Sequence, residues 1–220
     1  GTEEASSSID AKDPISQGIV SVLTAAVNAF SKHGKNADLP VIPVSISGAI
    51  TTSTTNTAIS PPPPNGDELL RRIENDYKER NYLWTGDIDY ACYDTNCCFT
   101  DPTLSFNGTA TYARNIGNLR PIVDQFVTNG RSELLSIGLD DKSRYVETRW
   151  NMVGDLKRLP WQPRIDVIGN TKFWFKETVV EGRSCYQVYF YDERWEIPPW
   201  RALLQLLTKA GTVPNSSSSS

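Results

Sequence analysis

Two stretches carry the side chains best suited to chemistry. In "FTDPTLSFNG", residues 99 to 108, Asp101 precedes Pro102, with Thr103 and Ser105 just behind. A residue before proline is kept out of the helical region, so Asp101 is expected extended at a strand end. Two roles are open to it there. Its carboxylate can accept backbone N–H groups two or three residues on and turn the chain. Buried and with a raised pKa, it can instead act as a general base. In "YDERWEI", residues 191 to 197, strand alternation predicts Tyr189, Tyr191, Glu193 and Trp195 on one face, an aromatic lining with one acid. Glu193 is the second general-base candidate, and Tyr191 or Tyr93 is placed to polarise an oxygen. Tyr93, Tyr112, Trp150, Tyr189 and Trp195 are the candidates for lining a site for an apolar ligand.

Charged pairs form a second group. Glu147 and Arg149 share one face of their strand, and Arg164 and Asp166 share one face of the next. On the outer side they make a cross-strand ion-pair ladder, worth about 0.2 to 1 kcal/mol per pair. Turned inward, Arg149 would instead grip a carboxylate or phosphate with its bidentate fork.

Other chemistries lack their residues. The one histidine, His33, lies far from both stretches, and Cys92, Cys97, Cys98 and Cys185 lack the paired spacing of a zinc site. Four cysteines are too few for a disulfide framework, so a reducing compartment is expected. Phosphate-binding glycine loops, serine nucleophile elbows and H-E-x-x-H motifs are all missing, so neither cofactor nor metal is expected. A net charge of −4 without a basic block argues against nucleic acid as partner. No apolar run is long enough to span a bilayer. The chain opens on Gly1, from which a trimmed N-terminus is expected.

The elements that must position these residues divide the 220-residue chain in two. All six tryptophans stand at or beyond position 84, so the core is expected in the later part. Residues 1–66 read as a non-globular arm. It has one amphipathic helix carrying Ile15, Ile19, Val22, Leu23 and Phe30, then a Ser/Thr-rich run, then "PPPP" as a stiff spacer. From residue 67 the pattern becomes globular. A helix is predicted over 67–84, with Leu69, Leu70, Ile73, Tyr77 and Trp84 near one face. A second follows Gly108, with Tyr112, Ile116, Leu119, Val123 and Phe126 as its stripe and Pro121 as a kink or restart. Four long alternating strands come next, with Val146, Thr148, Trp150 and Met152 on one face of the second. A helix opening on two prolines closes the unit near 210, and residues 211–220 form a serine tail. This order is an α+β domain: a curved antiparallel sheet with helices packed on it.

Three motifs, "FTDPTLSFNGTATYARNIGNLRP", "LPWQPRIDVIGNT" and "YDERWEI", in that order, resemble the nuclear transport factor 2-like superfamily in its SnoaL-like branch. More narrowly, they resemble a plastid and cyanobacterial domain of unknown function. The resemblance covers about residues 67 to 208 and implies a cone-shaped sheet around an interior cavity. In the narrow family's pattern a histidine commonly holds the place of Tyr191, followed by an acid at Glu193 and then Trp195, so acid-base chemistry here falls to Asp101, Glu193 and tyrosines. The same resemblance implies a plastid address. With the arm, it leads to the expectation of a non-catalytic accessory protein docked through Ile15, Ile19, Val22, Leu23 and Phe30 onto a larger complex, at or near a photosynthetic membrane. The alternative is an enzyme of isomerase or hydrolase type, or a carrier, holding an apolar small molecule such as an isoprenoid or pigment fragment in the cone.

Overall fold

The computed structural model describes residues 60–212. Ile15, Ile19, Val22, Leu23 and Phe30, with the helix and docking role expected for them, lie outside the described residues. So does most of the serine tail.

The first helix of the described residues, α1 (Gly66–Lys78), starts at Asn65, whose side chain accepts the Glu68 N–H at 2.8 Å. Asp67 and Glu68 in the first turn and Lys78 in the last complement the helix dipole. Leu69, Ile73 and Tyr77, four residues apart, form its buried stripe. The globular unit begins slightly ahead of the boundary at 67, because the Pro63 carbonyl accepts the Tyr186 N–H at 2.8 Å and the Pro61 carbonyl accepts from Arg72 at 2.7 Å.

The helix expected through residue 84 is interrupted by Asn81. That residue adopts a left-handed conformation (φ 52°), donates to the Gly130 carbonyl at 3.0 Å and accepts from the Ser132 N–H at 2.8 Å. Its amide thereby hydrogen-bonds the strand that runs beside it, which a continuing helix would forgo. A single turn, α2 (Tyr82–Thr85), follows and ends at Gly86 (φ 67°), where a Cβ would stand 2.3 Å from Ile116. The remaining elements are a 3-10 turn (Tyr90–Cys92), β1 (Tyr93–Thr100), β2 (Ser105–Asn107), α3 (Thr109–Phe126), β3 (Thr128–Asp140), β4 (Tyr145–Asp155), β5 (Arg164–Val180), β6 (Arg183–Trp195) and α4 (Pro199–Leu207). Helix α3 runs through Pro121 without a restart. Pro121 and Gly117 one turn before it are both exposed, which leaves the carbonyl that loses its N–H partner open to water.

Among the described residues, six strands form one sheet in the order β2-β1-β6-β5-β4-β3. Every pairing is antiparallel save β1 with β6, which is parallel. Register shifts at Leu134/Ser136 in β3, at Trp174/Phe175 in the β5–β6 pair and at Tyr93/Cys98 in β1 bend the sheet, because each bulge adds local twist and curvature. The result is a half-open cone, with α1 and α3 over its concave side and α4 at one end. That concave side carries Val146, Thr148 and Trp150 of β4 and Val167, Thr171, Phe173 and Phe175 of β5, all buried. No helix among the described residues is long and apolar enough to cross a membrane.

The outer face holds the charges. Arg149 makes a bidentate pair with Glu196 at 2.6 and 3.1 Å, and Lys172 lies 3.8 Å from Glu147. Arg149 therefore does not face the cone. Arg164 pairs with Asp155 at 3.5 Å rather than joining Asp166 in a ladder. Asp166 is buried at the edge of β5 beyond the end of β6, where the Gln205 side chain of α4 takes its N–H at 3.0 Å and meets its carbonyl at 3.1 Å. One glutamine amide thus replaces a missing strand.

Packing on the concave side depends on Gly169. The Trp150 indole lies across it, where a Cβ would stand 2.4 Å from the ring, and Trp150 Nε1 donates to Thr171 Oγ1 at 2.9 Å. Gly169→Ala is expected to lower unfolding stability by about 1 to 3 kcal/mol through overpacking. Urea denaturation measures this, and an unchanged midpoint would contradict the packing.

Candidate functional site

The interior of the cone holds a row of polar groups. Tyr77 Oη and Thr148 Oγ1 are 2.7 Å apart, Tyr82 Oη donates to Tyr77 Oη at 2.9 Å, and Tyr82 Oη lies 3.3 Å from Tyr191 Oη. Tyr191 and Glu193 Oε2 share a short hydrogen bond, and Trp195 Nε1 donates to Glu193 Oε1 at 2.9 Å. At the far end Thr148 Oγ1 donates to the Thr171 carbonyl at 3.4 Å. Tyr77, Tyr82, Thr148 and Tyr191 are all buried, while Glu193 is half-buried.

Counting hydrogens along this row explains the acid's behaviour. Each hydroxyl supplies one. If Glu193 is ionised, Tyr191 donates to it, Tyr82 donates to Tyr77, Tyr77 to Thr148 and Thr148 to Thr171, and the Tyr82–Tyr191 contact is left without a hydrogen. If Glu193 carries a proton and donates it to Tyr191, then Tyr191 donates to Tyr82 and every link from Glu193 to the Thr171 carbonyl is filled. Burial acts in the same direction and raises the carboxyl to about 7, with the charge of Asp101 adding to the rise and the donors Tyr191 and Trp195 opposing it. A carboxyl poised near neutrality can both take and release a proton. Burial also drives the hydroxyls of Tyr82, Tyr93, Tyr112 and Tyr191 well above the usual phenol range, so they stay neutral, and Tyr82 and Tyr191 serve the row as neutral donors.

Asp101 has a different place. It stands in the turn between β1 and β2, where its Oδ1 accepts the Thr103 N–H at 2.7 Å and the Thr103 hydroxyl at 2.6 Å, while its own N–H donates to the Leu104 carbonyl at 2.9 Å. It turns the corner of a hairpin, and its charge still reaches Glu193. Tyr93 and Tyr112 belong to an aromatic plug, stacked on Phe99 at ring separations of 5.7 and 4.8 Å, with Phe106 on the same ring at 5.5 Å. Trp150 is fully buried behind the row. Tyr189 is on the wrong side for a lining residue. The pairing of Trp174 with Phe190 and of Phe175 with Val188 skips it, so the bulge turns it outward, 42% exposed and beneath the Lys176 ammonium. Simple alternation cannot foresee that extra residue.

Beside this row lies an apolar cavity of about 140 Å³, roofed by α2, α3 and α4. Its wall includes Trp84, Ile116, Met152, Val167, Trp195 and Leu206. Glu193 does not line it. Trp195 is common to both features, forming part of the cavity wall and donating its indole N–H to Glu193. Among the described residues no group of three or more His, Cys, Asp or Glu is placed to hold a metal ion.

Residues 67–189 match a family described as an uncharacterized conserved protein, DUF2358. That span is more than half of the chain. The protein belongs to the DUF2358 family. Its cone also agrees with the nuclear transport factor 2-like, SnoaL-like resemblance carried by the three motifs. No curated protein matches this DUF2358 chain. Similar solved structures include Bal32a from a soil-derived mobile gene cassette, at 14% identity and a TM-score of 0.41 over 59% of this chain and 90% of that one. A hypothetical protein with a ketosteroid isomerase-like fold from Catenulispora acidiphila is 10% identical, with a TM-score of 0.39 over 66% of this chain and 95% of that one. An LEH-like epoxide hydrolase from M. tuberculosis is 16% identical, with a TM-score of 0.37 over 64% and 92%. These likenesses concern the fold.

Neither Tyr77 and Tyr82 nor Asp76 stood out in the sequence as site residues. Asp76 is buried on α1, receives the Asp89 N–H at 3.0 Å and lies 3.4 Å from Arg80, and burial lifts it to about 7. An acid in the middle of a stripe of apolar residues was the available signal.

Glu193 and Asp76 each make a pH-dependent contribution to stability. Both carboxyls hold their protons more tightly folded than unfolded, so their contribution is fully present below their unfolded values near 4, falls as pH rises and levels off above about 7. Glu68, Asp94, Asp140 and Glu196, held below the usual carboxylate range by their partners, contribute in the opposite direction at lower pH. Glu193→Gln is expected to remove about 1 to 3 kcal/mol of the decline between pH 4 and 7. Denaturant titrations at pH 5 and pH 8 compare the two proteins, and parallel losses in both would contradict the assignment.

Proposed function

We propose that this protein binds an apolar small molecule inside the cone, in the cavity beneath α2, α3 and α4. The supporting observation is the cavity itself: about 140 Å³, walled almost entirely by aliphatic and aromatic carbon. A hollow of this size matches engineered apolar cavities that stay dry and admit a benzene-sized guest. It therefore suits a ring or branched chain of roughly six to ten carbons. The expected accessory role in a plastid complex depends on the leading residues, whereas this proposal draws on the described fold. n-Butylbenzene is the test ligand, followed by chemical-shift changes in the protein. Saturable binding is expected, with shifts at Trp84, Trp195 and Leu206. Ala202→Leu pushes a larger side chain into the cavity from α4 and should abolish binding while leaving the fold intact. Binding that survives Ala202→Leu would count against the cavity.

A second reading is favoured by the half-buried Glu193 carboxyl, raised to about 7 beside the cavity wall. It makes the protein an enzyme of isomerase type, with Glu193 as general base and Tyr191 as the neutral donor that orients it. A generic probe is the base-promoted ring opening of 5-nitrobenzisoxazole, in which the base takes the ring C–H proton as the N–O bond breaks. The rate should rise with pH through about 7 and fall at least tenfold in Glu193→Gln. Equal rates in both proteins would remove the catalytic reading.

A further inference from the structure

The apolar cavity does not end at its own wall. A second hollow of about 240 Å³ adjoins it and shares Trp84, Thr85, Arg120, Val123 and Val127 with it, adding Asp124 and Gly130. The inner chamber is carbon-lined. The outer one brings a guanidinium and a carboxylate to the entrance.

Arg120 is held at this junction by three weak contacts. Its Nη1 donates to the Thr85 carbonyl at 3.2 Å, and its Nε lies 3.3 and 3.4 Å from the two oxygens of Asp124, one helical turn on. Both side chains are half-exposed or more, so the ion pair is of the weak surface kind. The Nη2 hydrogens have no protein partner among the described residues. A guanidinium with free donors in a fixed fork is suited to a carboxylate. Because Asp124 is exposed and loosely held, an incoming anion can displace it.

Building on the proposal that the cavity takes an apolar guest, we propose that the ligand is an amphipathic monocarboxylic acid. Its apolar body of roughly six to ten carbons occupies the inner chamber, and its carboxylate binds Arg120 at the mouth. The body passes between Trp84 and Val123, which belong to both hollows. Arg120 then selects the ligand class, and Asp124 acts as a competitor that the ligand must replace.

Isothermal titration with octanoate and with 1-octanol tests this, using the whole chain and the variants Arg120→Gln, Asp124→Asn and Ala202→Leu. In the native protein octanoate should bind about tenfold more tightly than octanol. Arg120→Gln should equalise the two by weakening octanoate alone, and Asp124→Asn should strengthen octanoate alone. Ala202→Leu should abolish both. Equal affinities in the native protein, or a preference for octanoate that survives Arg120→Gln, would overturn the inference while leaving the apolar cavity standing. Failure of both ligands to bind the native protein would overturn the cavity and this inference together.

Discussion

A bent sheet cannot cover its own concave side, and the rest of this structure follows from that constraint. Strands β3 to β6 are long, and their bulges curl them, so the inner face encloses a volume that helices must fill. Helix α1 fills most of it with Leu69, Ile73 and Tyr77, packed against Val146, Trp150 and Phe175. Where α1 gives way to the single turn at Tyr82, the filling becomes incomplete. The roof passes to α2, α3 and α4, whose side chains meet around a hollow rather than across it. Burying a few large side chains, each worth about 1.5 to 3 kcal/mol, secures the closed part of the cone and lets the open part remain unfilled.

The same geometry decides how polar groups behave inside. Buried hydroxyls are costly when unpaired, and the row from Thr171 to Glu193 removes that cost by linking each to the next. Its completeness depends on one proton. With Glu193 neutral the row is filled, and with Glu193 charged one link is vacant, so hydrogen-bond counting and burial agree on a carboxyl that titrates near neutrality. Trp195 connects this row to the apolar chamber, since one edge of its indole serves the acid while the ring lines the cavity. A guest in the chamber would press on the residue that holds Glu193.

Much of the fold was legible because the signals were periodic. The four long strands, the stripe of α3 and the proline-opened α4 follow from alternation and helical spacing. Glu193, Tyr191 and Trp195 were found together because they stand two apart on one strand. What stayed hidden was set by long-range contacts. The break at Asn81 exists because its amide pairs with Ser132, fifty-one positions away. Tyr189 faces outward because a bulge inserts it between two pairings, and nothing local to "YQVYFYDERW" reports that slip. Tyr77 and Tyr82 read as core residues, since only the assembled sheet brings their hydroxyls to Thr148 and Tyr191. Asp101 was ambiguous on its own, and its turn geometry emerged once Thr103 and Leu104 were placed around it.

The most direct test of this account is a crystal structure of the protein under xenon pressure, because xenon enters apolar hollows without needing any polar partner. The account predicts xenon density in the chamber between Trp84, Val167, Trp195 and Leu206. Side chains collapsed across that space, with no xenon bound, would contradict it.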